Sequence, residues 1–180
     1  MTRIKYVAPE DMTAAARGLT LERGNLNVYR TLANAKNMFT GWMVAGRNAL
    51  VSPALSPRLR ELVILRTAYL MTSPYEIGQH TTAASKAGVS PREIAALGSA
   101  WKTSADVFDG SELSVLRLTT ELVTTKKVAA SLFDEVHHAL GTQATIEVLM
   151  LINRWSGLAL MLNALDVDLD TNARISIPHA

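Results

Sequence analysis

The chain has no cysteine among its 180 residues. That absence excludes a disulfide framework, a zinc–thiolate site, an iron–sulfur cluster, a cysteine nucleophile and a Cys-x-x-Cys redox couple from this sequence. Aromatic residues are sparse, at 6%, and no run alternates β-branched with polar residues, so strands are not expected. Neither sign of charge dominates. Eighteen Lys and Arg against 16 Asp and Glu leave +2, and the basic residues are scattered, which gives no footprint for nucleic acid. No apolar run follows Met1-Thr-Arg-Ile-Lys5, so no secretory signal is expected and a cytoplasmic location is. The most apolar stretch, Ile146 to Leu165, is interrupted by Asn153, Arg154, Ser156 and Asn163. A charge at the centre of a bilayer is costly, so this stretch reads as a buried helix and no membrane span is expected. Glycine-rich phosphate loops, G-x-S-x-G elbows and HExxH pairs are missing too. His137 and His138, beside Glu135, read as solvated residues near a helix end, and no third ligand stands at metal-binding spacing, so neither metal nor cofactor is expected.

What is present describes a folded globular chain. Hydrophobic residues make up 48% and charged residues 19%, which argues against disorder. The length fits one domain at about 150 residues each, and about 70% of the unfolded surface can be buried at this size. The punctuation is helical. Residues 1–24 read as largely irregular, with room for a short helix after Pro9. A first helical region spans about Asn27 to Leu50, with a possible break near Asn34–Asn37. Its apolar positions Val28, Leu32, Ala35, Phe39 and Trp42 recur at three and four. Ser56-Pro57 opens a helix to about Met71 whose Leu62–Leu65 segment is apolar on every side, so it should be central. Ser73-Pro74 opens another that stops at Gly88, and Ser90-Pro91 a shorter one to about Gly98. Trp101 to Asp109 reads as a loop. Helices follow at about 111–125, 129–140 and 143–164, with an extended tail over 169–180. The expected architecture is an all-α bundle of six to seven helices with its domain over 25–168.

Polar residues within the two apolar helices are the candidate chemistry. Glu76 and His80 lie four apart and share a helix face, followed by the small residues Ala83, Ala84 and Ala87. Near a helix N-terminus, a Glu–His pair tuned toward neutrality suits proton transfer. The plain alternative for Glu76 is a capping box with Ser73, and for His80 a satisfied half-buried histidine. Glu61, one turn into the preceding helix, pairs with Arg58 or Arg66 or else points into a site. Arg66, a cation within an apolar run, either binds a substrate carboxylate or pairs with an internal acid. Asn153, Ser156 and Asn163 share one face of the last helix and line either a pocket or a subunit contact.

The segment SPRLRELVILRTAYLMTSPYEIGQHTTAASKAGVS, with the closing run NRWSGLALMLNALDVDLD, resembles the carboxymuconolactone decarboxylase/AhpD-like superfamily over roughly residues 26–168. In the redox branch of that superfamily a glutamate is followed twelve residues on by Cys-x-x-Cys, then by a histidine four later. Laid on this chain, the glutamate is Glu61, the histidine is His80, and the cysteine positions hold Ser73 and Glu76. Thiol peroxidase chemistry goes with the missing sulfurs. The resemblance implies an AhpD-like helical fold and assembly into homo-trimers or homo-hexamers. It also implies a cofactor-independent lyase or isomerase acting on a small unsaturated carboxylate or lactone of aromatic-acid catabolism. In that reading His80 is the acid/base, Glu76 shares or directs its proton and Glu61 sets its charge and tautomer. Tyr75 donates to an oxyanion, Trp42 supplies an apolar wall, and Arg66 and Ser73 contact the substrate. Two rivals use the same residues: a lactone or ester hydrolase with Glu76 and His80 activating water, and a non-catalytic small-molecule binder in which Glu76 merely caps its helix.

Overall fold

A computed structural model describes residues 2–98 and 107–170. Among them are a short 3-10 turn at Pro9–Asp11 and eight α-helices, with no strand: α1 (Ala14–Glu22), α2 (Asn27–Leu32), α3 (Phe39–Val51), α4 (Pro57–Leu70), α5 (Pro74–Lys86), α6 (Pro91–Gly98), α7 (Gly110–Thr125) and α8 (Ala130–Leu165). The all-α expectation holds, with one helix more than the upper count. Residues 1–24, expected to be mainly irregular, contain α1. Its N-cap Thr13 accepts a hydrogen bond from the Ala16 backbone N–H at 3.3 Å, a local start signal. The first helical region is split into α2 and α3. Asn34 takes the Thr31 carbonyl at 2.9 Å and the Lys5 carbonyl at 3.0 Å, so its amide competes with helix continuation and ties the break to the N-terminal segment. The two expected C-terminal helices run together as α8, jointed at Gly141, where φ 76° and ψ 171° are not helical. The expected loop at Trp101–Asp109 lies mostly, and the tail over 169–180 almost wholly, outside the described residues.

Helix α4 is central, as its all-round apolar run predicts: residues 60 to 68 are buried without interruption. It packs against α5, α6, α7 and α8. Ser56 caps it, accepting from the Leu59 N–H at 3.1 Å, and Pro57 occupies its first turn, where no N–H is missed. Val63 and Ile64 face Val115, Leu118, Val148 and Leu151, whereas Leu62 and Leu65 face Ala84, Leu97 and Leu116. Each of these large side chains contributes about 1.5–3 kcal/mol by leaving water. The small Ala83 and Ala84 of α5 are buried and let α5 lie close to α4. Along α8, Val148, Leu151, Ile152, Trp155, Leu158 and Leu162 are buried, while Ile146, Met150 and Leu160 are exposed. This long apolar helix is thus buried along one stripe only.

Candidate functional site

The α4–α5 hairpin makes a tight turn, with Thr72 at φ 50°, and this turn decides what Glu76 does. The Ser73 backbone N–H donates to the Ala68 carbonyl at 3.0 Å, so the group that a capping glutamate would satisfy is already bonded. The Ser73 side chain makes no capping hydrogen bond, and its hydroxyl is buried without a partner among the described residues. The capping-box alternative therefore fails. Ser73 also does not line the cavity described below, which corrects its placement as a substrate contact.

Released from capping, Glu76 turns to His80. Glu61 of α4 and the Glu76–His80 pair of α5 converge, all three at most 6% exposed. His80 Nδ1 lies 2.8 Å from Glu61 Oε2, and its Nε2 lies 3.5 Å from Glu76 Oε2. From α8, the Trp155 indole N–H donates to His80 Nε2 at 3.0 Å, with the two rings edge to face. An indole N–H only donates, so Nε2 is the acceptor in this arrangement. Nδ1 then carries the ring proton and donates it to Glu61.

The electrostatics favour bound protons. Burial works against a charged His80, but the charge and hydrogen bond of Glu61, with the charge of Glu76, outweigh it and raise the imidazole above its ordinary value of 6.5. Burial and the charge of Glu61 raise the Glu76 carboxyl above its ordinary 4.5, against the pull of His80 and Arg154. Desolvation penalises the ionised carboxyl, and neighbouring acids favour the imidazolium.

A cavity of about 50 Å³ opens beside this cluster, lined by Glu76, His80, Trp155, Arg154, Trp42 and Tyr29 among others. Trp42 of α3 is part of this lining. Arg154 lies over its ring at 3.7 Å and donates to its carbonyl at 2.9 Å. Burial lowers the Arg154 pKa to about 10. Gly46 of α3 makes room for that guanidinium: a Cβ there would fall 2.2 Å from Arg154 Nη2.

Other expectations need correction. Arg66 is not at the cavity. Its guanidinium donates to the Leu97 carbonyl at 2.6 Å and to the Thr120 hydroxyl at 2.9 Å, tying α4 to α6 and α7. Tyr75 lines the cavity, but its hydroxyl donates to Asp170 and accepts from the Val28 N–H at 3.1 Å, so it has no proton to offer an oxyanion. Burial, then the Asp170 hydrogen bond, push its pKa well up. Asn153, Ser156 and Asn163 are not in the lining either; Asn163 donates to the Met71 carbonyl at 3.0 Å. Sequence reasoning missed Trp155, Arg154, Arg23 and Tyr29. The available signal was Arg154, a cation inside the most apolar stretch. Among the described residues no group of three His, Asp or Glu side chains could hold a metal ion.

The sequence model of the carboxymuconolactone decarboxylase family matches residues 38–121, a span that holds Glu61, Tyr75, Glu76 and His80. The fold is similar to the alkylhydroperoxidase AhpD core of an uncharacterized peroxidase-related protein from Ralstonia eutropha, with a TM-score of 0.81 at 14% identity over 94% of this chain and 93% of that one. It is also similar to the debrominase Bmp8, a cysteine-to-alanine variant in complex with 2,3,4-tribromopyrrole, with a TM-score of 0.73 at 16% identity over 95% and 93% of the two chains. No curated protein matches the chain in sequence.

Proposed function

Because a carboxymuconolactone decarboxylase family model matches residues 38–121, the fold is similar to an AhpD core, and the chain has no cysteine, we propose that it is a cofactor-independent lyase or isomerase. It would act by acid–base proton transfer on a small unsaturated carboxylate or lactone. No thiol step belongs to this reading, since positions 73 and 76 hold serine and glutamate. The observation that carries it is the Glu61–His80–Glu76 chain beside the cavity, with His80 and Glu76 both inclined to keep a proton.

Each residue has a task. Glu61 fixes the imidazole through Nδ1 and stabilises the imidazolium, as a buried carboxylate does behind a general base. His80 Nε2 is the atom that gives or takes the proton. Glu76, 3.5 Å from Nε2, resupplies it. In a decarboxylation the bond to the departing carboxylate breaks, and its electron pair passes into the conjugated carbonyl as a dienolate. The proton on Nε2 then returns to carbon, and one solvent proton is consumed per turnover. The Trp155 N–H must leave Nε2 as that nitrogen becomes a donor, and it lies within hydrogen-bonding reach of Glu76. Tyr29 lines the cavity as well.

Incubation with muconolactone-type and unsaturated carboxylic acids, read by mass spectrometry against a His80→Gln control, tests the reading. Loss of CO₂ or a carbon-bound solvent deuterium in the wild type alone is the expected result. Equal turnover by the variant overturns it. Solvent oxygen in the product identifies the hydrolase instead.

A further inference from the structure

The cavity holds an imbalance of charge that the proton relay does not use. Arg23, the residue that ends α1, is 6% exposed and lines the cavity. Among the described residues its guanidinium has neither a hydrogen bond nor an ion pair. Arg154 lines the same cavity, stacked on Trp42 and bonded to a backbone carbonyl, and among the described residues it too has no ion pair. The two are close enough that Arg23 opposes the charge on Arg154, and both charges reach Tyr29. Buried cations set side by side are costly unless an anion joins them. Glu76 does not fill that role: its carboxylate lies 3.5 Å from His80 Nε2 and makes no ion pair with either arginine among the described residues.

We propose that Arg23 and Arg154 form a two-point carboxylate subsite that holds the anionic end of a short organic acid, with its reactive carbon toward His80. A guanidinium matches the planar carboxylate through paired N–H donors. Besides the polar Arg47, Gln79, Glu76 and His80, the lining includes the apolar Leu26, Val28, Met43, Leu50 and Leu158, which suit a hydrocarbon body rather than a bare inorganic anion. At about 50 Å³, well below the usual several hundred for drug-sized ligands, the cavity selects an acid of few carbons. Gly46 belongs to the same device, since a side chain there would drive Arg154 off Trp42. The inference rests on the acid–base reading for the orientation of the ligand; the unmatched arginines stand without it.

The test is calorimetric titration of the unaltered protein with acrylate, crotonate and fumarate, each against its amide, followed by tryptophan emission from Trp42 and Trp155. Saturable binding of at least one acid is expected, with its amide weaker by about tenfold or more. Arg23→Gln and Arg154→Lys should each weaken that acid by about tenfold, while His80→Gln still binds it. Amides binding as tightly as the acids, no acid binding at all, or affinity indifferent to both arginine variants overturns the proposal. The acid/amide comparison needs no variant, so a misfolded variant leaves it decisive. Arginine-dependent binding without His80-dependent turnover retires the acid–base reading alone. The reverse pattern retires the subsite alone.

Discussion

Ser73-Pro74-Tyr75-Glu76 and Ser90-Pro91-Arg92-Glu93 are the same local pattern, one helix apart, and their glutamates have different fates. At α6 the box closes: the Ser90 N–H donates to Glu93 Oε2 at 2.7 Å, and the Glu93 N–H donates to Ser90 Oγ at 3.3 Å. Glu93 also pairs with Arg58, which donates from Nε to Glu112 Oε1 at 2.7 Å. Glu112 is itself the capping-box glutamate of α7. One arginine thus clamps α4 to the first turns of two helices. At α5 the Ser73 N–H is already bonded to Ala68, and Glu76 is left to face a histidine and a cavity. The difference lies in the turn before each helix, not in the four residues themselves. It also separates structural from functional charge. Hydrogen bonds from Arg58, then from Ser90, hold Glu93 down to about 2, whereas burial and Glu61 hold Glu76 up. Glu93, paired with an arginine, is driven toward its ion, whereas Glu76 in the cavity is driven toward its neutral acid.

The sharpest break of this comparison is kinetic. His80→Gln should lower turnover by about 10²–10⁴-fold, the usual worth of a positioned acid/base, with far-UV circular dichroism unchanged. Arg58→Met should do the opposite. It leaves two carboxylates without their cation and should cost about 3 kcal/mol in denaturant unfolding, with turnover per folded molecule retained. Loss of activity in folded Arg58→Met would mean that the clamp and the cavity are one unit.

Acid and base should then act on different regions. The Glu93 carboxyl lies below its ordinary 4.5, at about 2 when folded. Its stabilisation is present above 4.5 and is lost as the pH falls from about 4.5 toward 2. His80 and Glu76 are raised, so the folded cluster binds protons more tightly than the unfolded chain. Its contribution is complete below the unfolded values of 4.5 and 6.5 and declines as the pH rises through the raised ones. Glu93→Gln should flatten the acid limb of thermal stability, and Glu76→Gln the alkaline limb. Exchanged effects would contradict the assignment. The smallest effect on stability belongs to Gly46→Ala. Alanine favours the helix by about 1 kcal/mol over glycine, and the atom it meets is the mobile end of Arg154. Unfolding should shift little, while tryptophan emission and turnover change.

Much of this was legible from sequence. The apolar run Leu62–Leu65 placed α4 at the centre, and proline and glycine fixed the bounds of α4, α5 and α6. Spacing alone set Glu76 and His80 on one face. The pairing of Glu61 with His80 needed the fold, because it depends on how closely Ala83 and Ala84 let α5 approach α4. Arg66 was misjudged because its one-dimensional context, a cation among apolar residues, is the same as that of Arg154; only the fold turns one to the Leu97 carbonyl and the other to the cavity. Tyr75 was misjudged because its partner, Asp170, lies 95 residues away.

The central claim is that the cavity cluster keeps its protons whereas Glu93 of the clamp gives its proton up. Following the His80 ring proton by NMR across pH tests this without a substrate. A midpoint above the ordinary 6.5, lowered in Glu61→Gln and in Glu76→Gln, is the predicted result. A midpoint at or below 6.5 that ignores both substitutions, as for a histidine packed dry in a core, would contradict it.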